Sequence, residues 1–246
     1  MNPDRESPVA DATEAEAFLR RLPLQVDKGR FMDFARGFPK RYLAKTPPLE
    51  VVRHYGLMEG LGRRAVITSL AREGPLFKLC VVARDRSFLF ARIAGSPSAF
   101  GMNIVAAEAF ANANALVLDT FRFADPGARF EDDGERRAFQ HLLEEATSGR
   151  ASLPEPTESG AASGTLLPSF DDLAHPQLTR LLVEGPDRLG LLFRLARTLS
   201  EAGCNIEIAY IATPESGVHD EFFLSEGGEK LCAETKEALE EKLRRL

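Results

Sequence analysis

Tryptophan is absent from this chain of 246 residues, and cysteine, tyrosine, histidine and methionine are scarce at three, three, four and four. Cys80, Cys204 and Cys232 are odd in number and lack metal-ligand spacing. That excludes a disulfide scaffold and a zinc knuckle, and reads as reduced core or surface thiols. The histidines, His54, His141, His175 and His219, are scattered, and no Ser/His/Asp triad, P-loop or Cys/His cluster can be assembled. Basic charge is also in deficit, with 31 Lys and Arg against 37 Asp and Glu and a net charge of −6. A nucleic-acid or membrane-surface partner needs a basic face, so neither is expected. No apolar run approaches the roughly 20 residues that span a bilayer, and Met1 to Ala17 is polar and acidic, unlike a secretory leader. The expectation is a soluble cytoplasmic protein without cofactor or metal.

What is present is a duplication. Asp85-Arg86-Ser87-Phe88, Gly101-Met102-Asn103-Ile104 and Leu118-Asp119-Thr120-Phe121 are echoed by Asp187-Arg188-Leu189-Gly190, Gly203-Cys204-Asn205-Ile206 and His219-Asp220-Glu221-Phe222. Asp85 to Asn103 and Asp187 to Asn205 are each a step of 18 residues. A unit repeated at fixed spacing sets the architecture before any chemistry is considered. Hydropathy periods then divide the chain into a disordered tail at 1–12, a helical segment at 13–62, a first unit at 63–150, a Pro/Ser/Gly-rich linker at 151–164 and a second unit at 165–246. Three short helices are expected in the segment, packing on the first unit. Each unit reads strand–strand–helix–strand–strand–helix and closes on a helix. A four-strand, two-helix ferredoxin-like unit therefore needs its edge strand from the strand before each repeat, paired as a hairpin. The fold class is α+β with antiparallel sheets, the two units forming one sheet within the chain or pairing across a homodimer.

Several residues carry two readings. Asp85 and Asp187 open a helix after a strand, where an aspartate caps the helix N-terminus or meets a ligand. Gly190 leaves room for a ligand beside free backbone N–H groups in the first helical turn. The Asn205 amide offers a donor and an acceptor to a ligand with charged ends, or simply a turn after Gly203. Where the second unit has Gly190 the first has Phe88, whose ring is expected to fill or cover the equivalent space. His219-Asp220 spells a metal motif without further ligands at the spacing needed, and Gly95-Ser96 reads as a helix kink or break.

The loop Asp187-Arg188-x-Gly190-Leu191-Leu192, the Gly203-x-Asn205-Ile206 step, Ala209-x-x-Ala212-Thr213 and Asp220-x-Phe222 resemble an ACT domain, a small regulatory ferredoxin-like module. Phe38-Pro39-Lys40-Arg41-Tyr42-Leu43 with Val52 and His54, and Leu167-Pro168-Ser169-Phe170-Asp171-Asp172 before Thr179, resemble the C-terminal region of bifunctional PII uridylyltransferase/uridylyl-removing enzymes. The resemblance covers roughly residues 31 to 246. The nucleotidyltransferase and HD hydrolase domains of those enzymes do not fit ahead of Phe31, so a non-catalytic regulatory tail standing alone is expected. The resemblance implies an amino-acid effector, glutamine above all, at Asp187, Arg188, Leu189, Gly190, Leu191, Leu192, Asn205 and Ile206. It also implies a degenerate counterpart at Asp85, Arg86, Phe88, Asn103 and Ile104. A homodimer through the ACT sheets and a separate enzyme partner are the expected protein contacts. A ligand-free module docking on a transferase or PII-type partner is the alternative.

Overall fold

The computed structural model describes residues 12–22, 26–154, 164–214 and 217–246. Four helices open the chain: α1 (Ala12–Leu19), α2 (Lys28–Ala35), α3 (Lys40–Lys45) and α4 (Pro48–Leu61). The Asp27 carboxylate caps α2 by accepting from the Arg30 N–H at 2.8 Å. Pro47 and Pro48 start α4, where a missing N–H and a fixed φ are no handicap. Phe31, Phe34, Phe38, Tyr42, Val51 and Tyr55 are buried, with ring centres 5.2 Å apart for Phe34–Phe38 and 4.9 Å for Phe38–Tyr42. This aromatic cluster is the segment's own core. One helix more than expected is present. The segment also reaches beyond the first unit, because Ile208, Tyr210 and Phe223 join the same cluster and the Arg41 guanidinium lies 3.9 Å from the Tyr210 ring centre.

The first unit runs β1 (Val66–Glu73), β2 (Leu76–Arg84), α5 (Leu89–Ala99), β3 (Asn103–Ala111), β4 (Leu116–Ala124) and α6 (Asp133–Thr147). The second repeats it as β5 (Leu167–Asp171), β6 (Thr179–Gly185), α7 (Leu191–Glu201), β7 (Cys204–Ala212), β8 (Val218–Glu226) and α8 (Ala233–Arg244). The eight strands make one antiparallel sheet in the order β1-β2-β4-β3-β7-β8-β6-β5. Both edge strands come from before their repeat, as the permuted reading requires. The inner strands β3 and β7 join the units within the chain. Glu108 faces Tyr210 across that seam, and Ala106 faces Ala212 as Phe110 faces Ile208. Glu108 and Tyr210 occupy the same repeat position, 102 residues apart, so equivalent positions meet about an approximate two-fold axis. Helices α5 to α8 cover one face of the sheet and α1 to α4 part of the other.

The expected break at Gly95-Ser96 does not occur. Helix α5 continues through Gly95, Ser96 and Pro97. A Cβ on Gly95 would stand 2.6 Å from Leu153 Cδ1 and 2.8 Å from Phe193 Cδ2. Glycine is there so that α5 can close on α7 and on Leu153. Leu153 packs on the core, so the start of the 151–164 stretch is laid against the first unit; residues 155–163 of that stretch, like 1–11 of the tail, lie outside the described residues.

Candidate functional site

The Asp85 and Asp187 loops lead from β2 and β6 into α5 and α7. The residues at the two helix starts share one backbone conformation: Phe88 at φ 65°, ψ 7° and Gly190 at φ 75°, ψ 10°. Neither helix takes a side-chain cap, so the capping reading of the two aspartates fails. Each carboxylate turns instead toward the asparagine of the other unit. Asn103 Nδ2 donates to Asp187 Oδ2 at 2.8 Å, and Asn205 hydrogen-bonds Asp85. Asn205 Nδ2 also donates to Glu207 Oε1 at 2.9 Å, and Ser225 Oγ donates to the same Glu207 oxygen at 2.7 Å. Val105 stands at the equivalent position of the first unit and has no such acceptor.

Two pockets result, each built from both units. In the first, Asn205 and Ile206 stand with Asp85, Arg86, Phe88 and Asp119 around a cavity of about 260 Å³. In the second, Asp187, Arg188, Gly190, Leu191 and Leu192 stand with Asn103 and Ile104 around only about 10 Å³. Leu189 lines neither. Asp187 and Asn205, expected together, therefore face different pockets. The antiparallel β3–β7 seam is the cause, because it carries each strand-opening asparagine across to the other unit's loop. The space is also distributed against expectation. Phe88 borders the larger cavity rather than filling it, while the loop with Gly190 is closed, with Thr213 N–H bonded to Val105 O at 3.1 Å alongside.

Each pocket has a buried carboxyl group, Asp119 at 3% exposure and Asp220 at 1%. Burial pushes Asp119 well above the usual carboxylate range, and the nearby Asp85 charge adds to the rise. Burial likewise raises Asp220 to about 8, opposed by a hydrogen bond from the Ala212 backbone and reinforced by Asp187. Asp85 itself is raised, by burial first and by Glu207, against hydrogen bonds from the Arg86 backbone and Asn205. Sequence reading passed over Asp119 as a strand residue. The signal that would have found it is alternation: Val117, Phe121 and Phe123 face the core, and Asp119 falls in the same register. His219, next to Asp220, points the other way and stands 3.2 Å from Glu184, so the pair cannot ligate one metal. Among the described residues no group of three His, Cys, Asp or Glu side chains is placed to hold a metal ion. Burial pushes the Cys80 thiol to about 12 and the Cys204 thiol to about 11, so neither is a thiolate at neutral pH.

A larger groove of about 1070 Å³ lies on the opposite face, between the helical segment and the sheet. Along its wall Tyr42 Oη meets His54 Nδ1 at 3.0 Å, His54 Nε2 meets Glu50 Oε1 at 3.2 Å, and Lys78 Nζ meets the same oxygen at 2.5 Å. His54 and Lys78 hold the Glu50 carboxyl well below its usual range.

Comparison with known proteins gives the following likenesses. Residues 179–244 match the ACT domain. The chain is 31% identical over 170 residues to the bifunctional uridylyltransferase/uridylyl-removing enzyme of Nitrobacter winogradskyi, covering 65% of this chain and 18% of that enzyme. The enzyme of the same description from Rhodopseudomonas palustris is 30% identical over 220 residues, 83% of this chain and 24% of the other. That from Gluconobacter oxydans is 29% identical over 237 residues, 90% and 25%. The chain thus spans between 18% and 25% of the length of these relatives. A crystal structure of aspartate kinase from Synechocystis overlays with a TM-score of 0.40 at 16% identity, covering 70% of this chain and 26% of that one. Among the described residues no helix is long and apolar enough to cross a membrane.

Proposed function

We propose that this chain, an ACT-domain protein similar over most of its length to bifunctional uridylyltransferase/uridylyl-removing enzymes, is a non-catalytic regulatory module that senses a small molecule in nitrogen or amino-acid metabolism. An amino acid is the proposed effector, with glutamine the first to try. The observation that carries this reading is the cavity of about 260 Å³ whose walls come from both units, Asp85, Arg86 and Phe88 from one and Asn205 and Ile206 from the other. A ligand held by both units favours whichever packing of the units closes on it, and that differential binding is the signal. The Asp187 and Asn103 pocket acts as its closed counterpart.

Thermal-shift screening of the twenty L-amino acids tests this. At a hundred times its Kd an effector adds about 2.7 kcal/mol of stability, and Asn205→Ala should remove the shift. No response to any of the twenty would overturn the sensing reading. A second reading, a ligand-free docking module for a separate transferase or PII-type partner, draws support from the charged groove of about 1070 Å³ between helical segment and sheet. A homodimer through the sheets would have to use the outer strands β1 and β5, because β3 and β7 pair with each other.

A further inference from the structure

The two ends of the eight-stranded sheet are guarded differently. An edge strand offers a row of unpaired backbone N–H and C=O groups to any extended chain, and proteins blunt it with brevity, proline or charge. At one end β5 has five residues with Pro168 among them, and a proline cannot donate to a neighbouring strand. At the other end β1 runs over eight residues, Val66–Glu73, without proline, and pairs only with β2. Among the described residues no backbone group of Val66–Glu73 is bonded outside that ladder. Its centre, Thr68, Ser69, Leu70 and Ala71, carries no charge. Roughly 3.3 Å per residue gives an open edge of about 26 Å.

A second observation says what kind of strand fits there. Val66 pairs with Ala83, which sets Arg63, Arg64 and Arg84 at the same end of β1. All three are exposed, and among the described residues none has an ion-pair or hydrogen-bond partner for its side chain. Asp33 and Glu59 share a hollow of about 390 Å³ with Arg84, but they are already paired with Arg36 at 3.3 Å and Arg30 at 2.7 Å. At the far end of β1, Arg72 is paired with Glu131 at 2.6 Å and Glu73 with Arg122 at 2.9 Å. The edge therefore starts among uncompensated positive charge, on a chain whose net charge is −6.

We propose that β1 is a strand-addition site for an extended acidic segment of a partner protein, whose backbone continues the sheet and whose carboxylates meet Arg63, Arg64 and Arg84. Backbone pairing supplies the affinity, and the arginines select the partner and its direction. The other occupant is a second copy paired antiparallel through its own β1. That copy would bring Arg72 and Glu73 to this end, a pair without net charge. The site uses no residue of the two loop pockets, so it goes beyond the sensing reading and is independent of it.

The test measures binding of dye-labelled, capped peptides to the full chain by fluorescence anisotropy. The probes are eight alternating threonines and valines with three aspartates at the N-terminal or the C-terminal end, and the same two peptides with lysines for aspartates. The expected result is saturable binding of one acidic peptide, weakening as salt rises, with slowed amide exchange over Val66–Glu73. Combining Arg63→Glu, Arg64→Glu and Arg84→Glu should cost about tenfold, the sum of three exposed ion pairs, and turn the preference toward the lysine peptides. Adjacent N–H groups of a strand point to opposite sides within the sheet, so one of Thr68→Pro and Ser69→Pro leaves the ladder with β2 whole. That variant should keep the parent's melting temperature and lose the peptide. Should both proline variants unfold, the charge-reversed chain decides alone. No binding of either acidic peptide, equal binding of acidic and lysine peptides, or protection elsewhere than β1 overturns the proposal. A parent chain that sediments as a dimer, a proline variant that sediments as a monomer and no bound peptide overturn it in favour of a second copy. Each of these failures leaves the amino-acid screen, and the sensing reading with it, untouched.

Discussion

Phe88 holds a left-handed backbone at φ 65°, where its counterpart is a glycine at φ 75°. A side chain in that region costs roughly 1–2 kcal/mol relative to glycine, so the position keeps its phenyl ring against a local preference. Phe88→Gly is expected to raise stability in urea by about 1 kcal/mol once the lost contacts of a half-buried ring are counted, and Gly190→Ala to lower it by a similar amount. Unfolding midpoints at constant slope would measure both. Asp220 gives a second residue-scale prediction. Its carboxyl is raised in the folded protein to about 8 from 3.8, so the unfolded chain releases the proton first. Its favourable protonated state is fully present below pH 4, and stability falls as pH rises from there toward 8. Asp220→Asn cannot titrate. Its advantage over the parent should grow from near zero at pH 4 to roughly 2 kcal/mol at pH 8, allowing for relaxation around the charge. Melting temperatures that run parallel across that range would contradict the assignment. Asp220 and Asp119 were both visible in the sequence as polar residues at core-facing strand positions, but nothing in a strand pattern says whether such a carboxyl is satisfied or lines a cavity.

At the scale of elements, the strands and helices follow their hydrophobic periods within a few residues, and the supply of each edge strand from before its repeat was legible from element order alone. Helix α5 is where local rules misled. Gly95 and Pro97 are helix-weakening residues, yet the helix runs on because packing decides. Gly95 brings α5 against Phe193 of α7 and Leu153, with no room for a Cβ. Gly95→Leu is therefore expected to lower stability by about 1–3 kcal/mol through overpacking, despite leucine's better helix propensity. A rise in melting temperature instead would mean the helices can part there without loss. The N-terminal helices were expected to pack on the first unit. That they rest on both units was not readable, since the aromatic residues Phe38 and Tyr42 carry no mark of which sheet strands they will meet.

For the whole molecule the deciding feature is the seam between β3 and β7. It joins two duplicated units about an approximate two-fold axis through Glu108 and Tyr210 and builds both loop pockets from one unit's loop and the other unit's asparagine. The sequence by itself determined the duplication, the α+β class, the order of strands within each unit, the ACT resemblance and the residue types gathered at the loops, because all of these follow from local periodicity and fixed spacing. Only the tertiary structure decided which Asn faces which Asp, and that about 260 Å³ of space lies beside Phe88 and about 10 Å³ beside Gly190. The physical reason is that an 18-residue step fixes positions along one unit, whereas a pocket across a seam is fixed by strand register and by how helices from two units settle against each other.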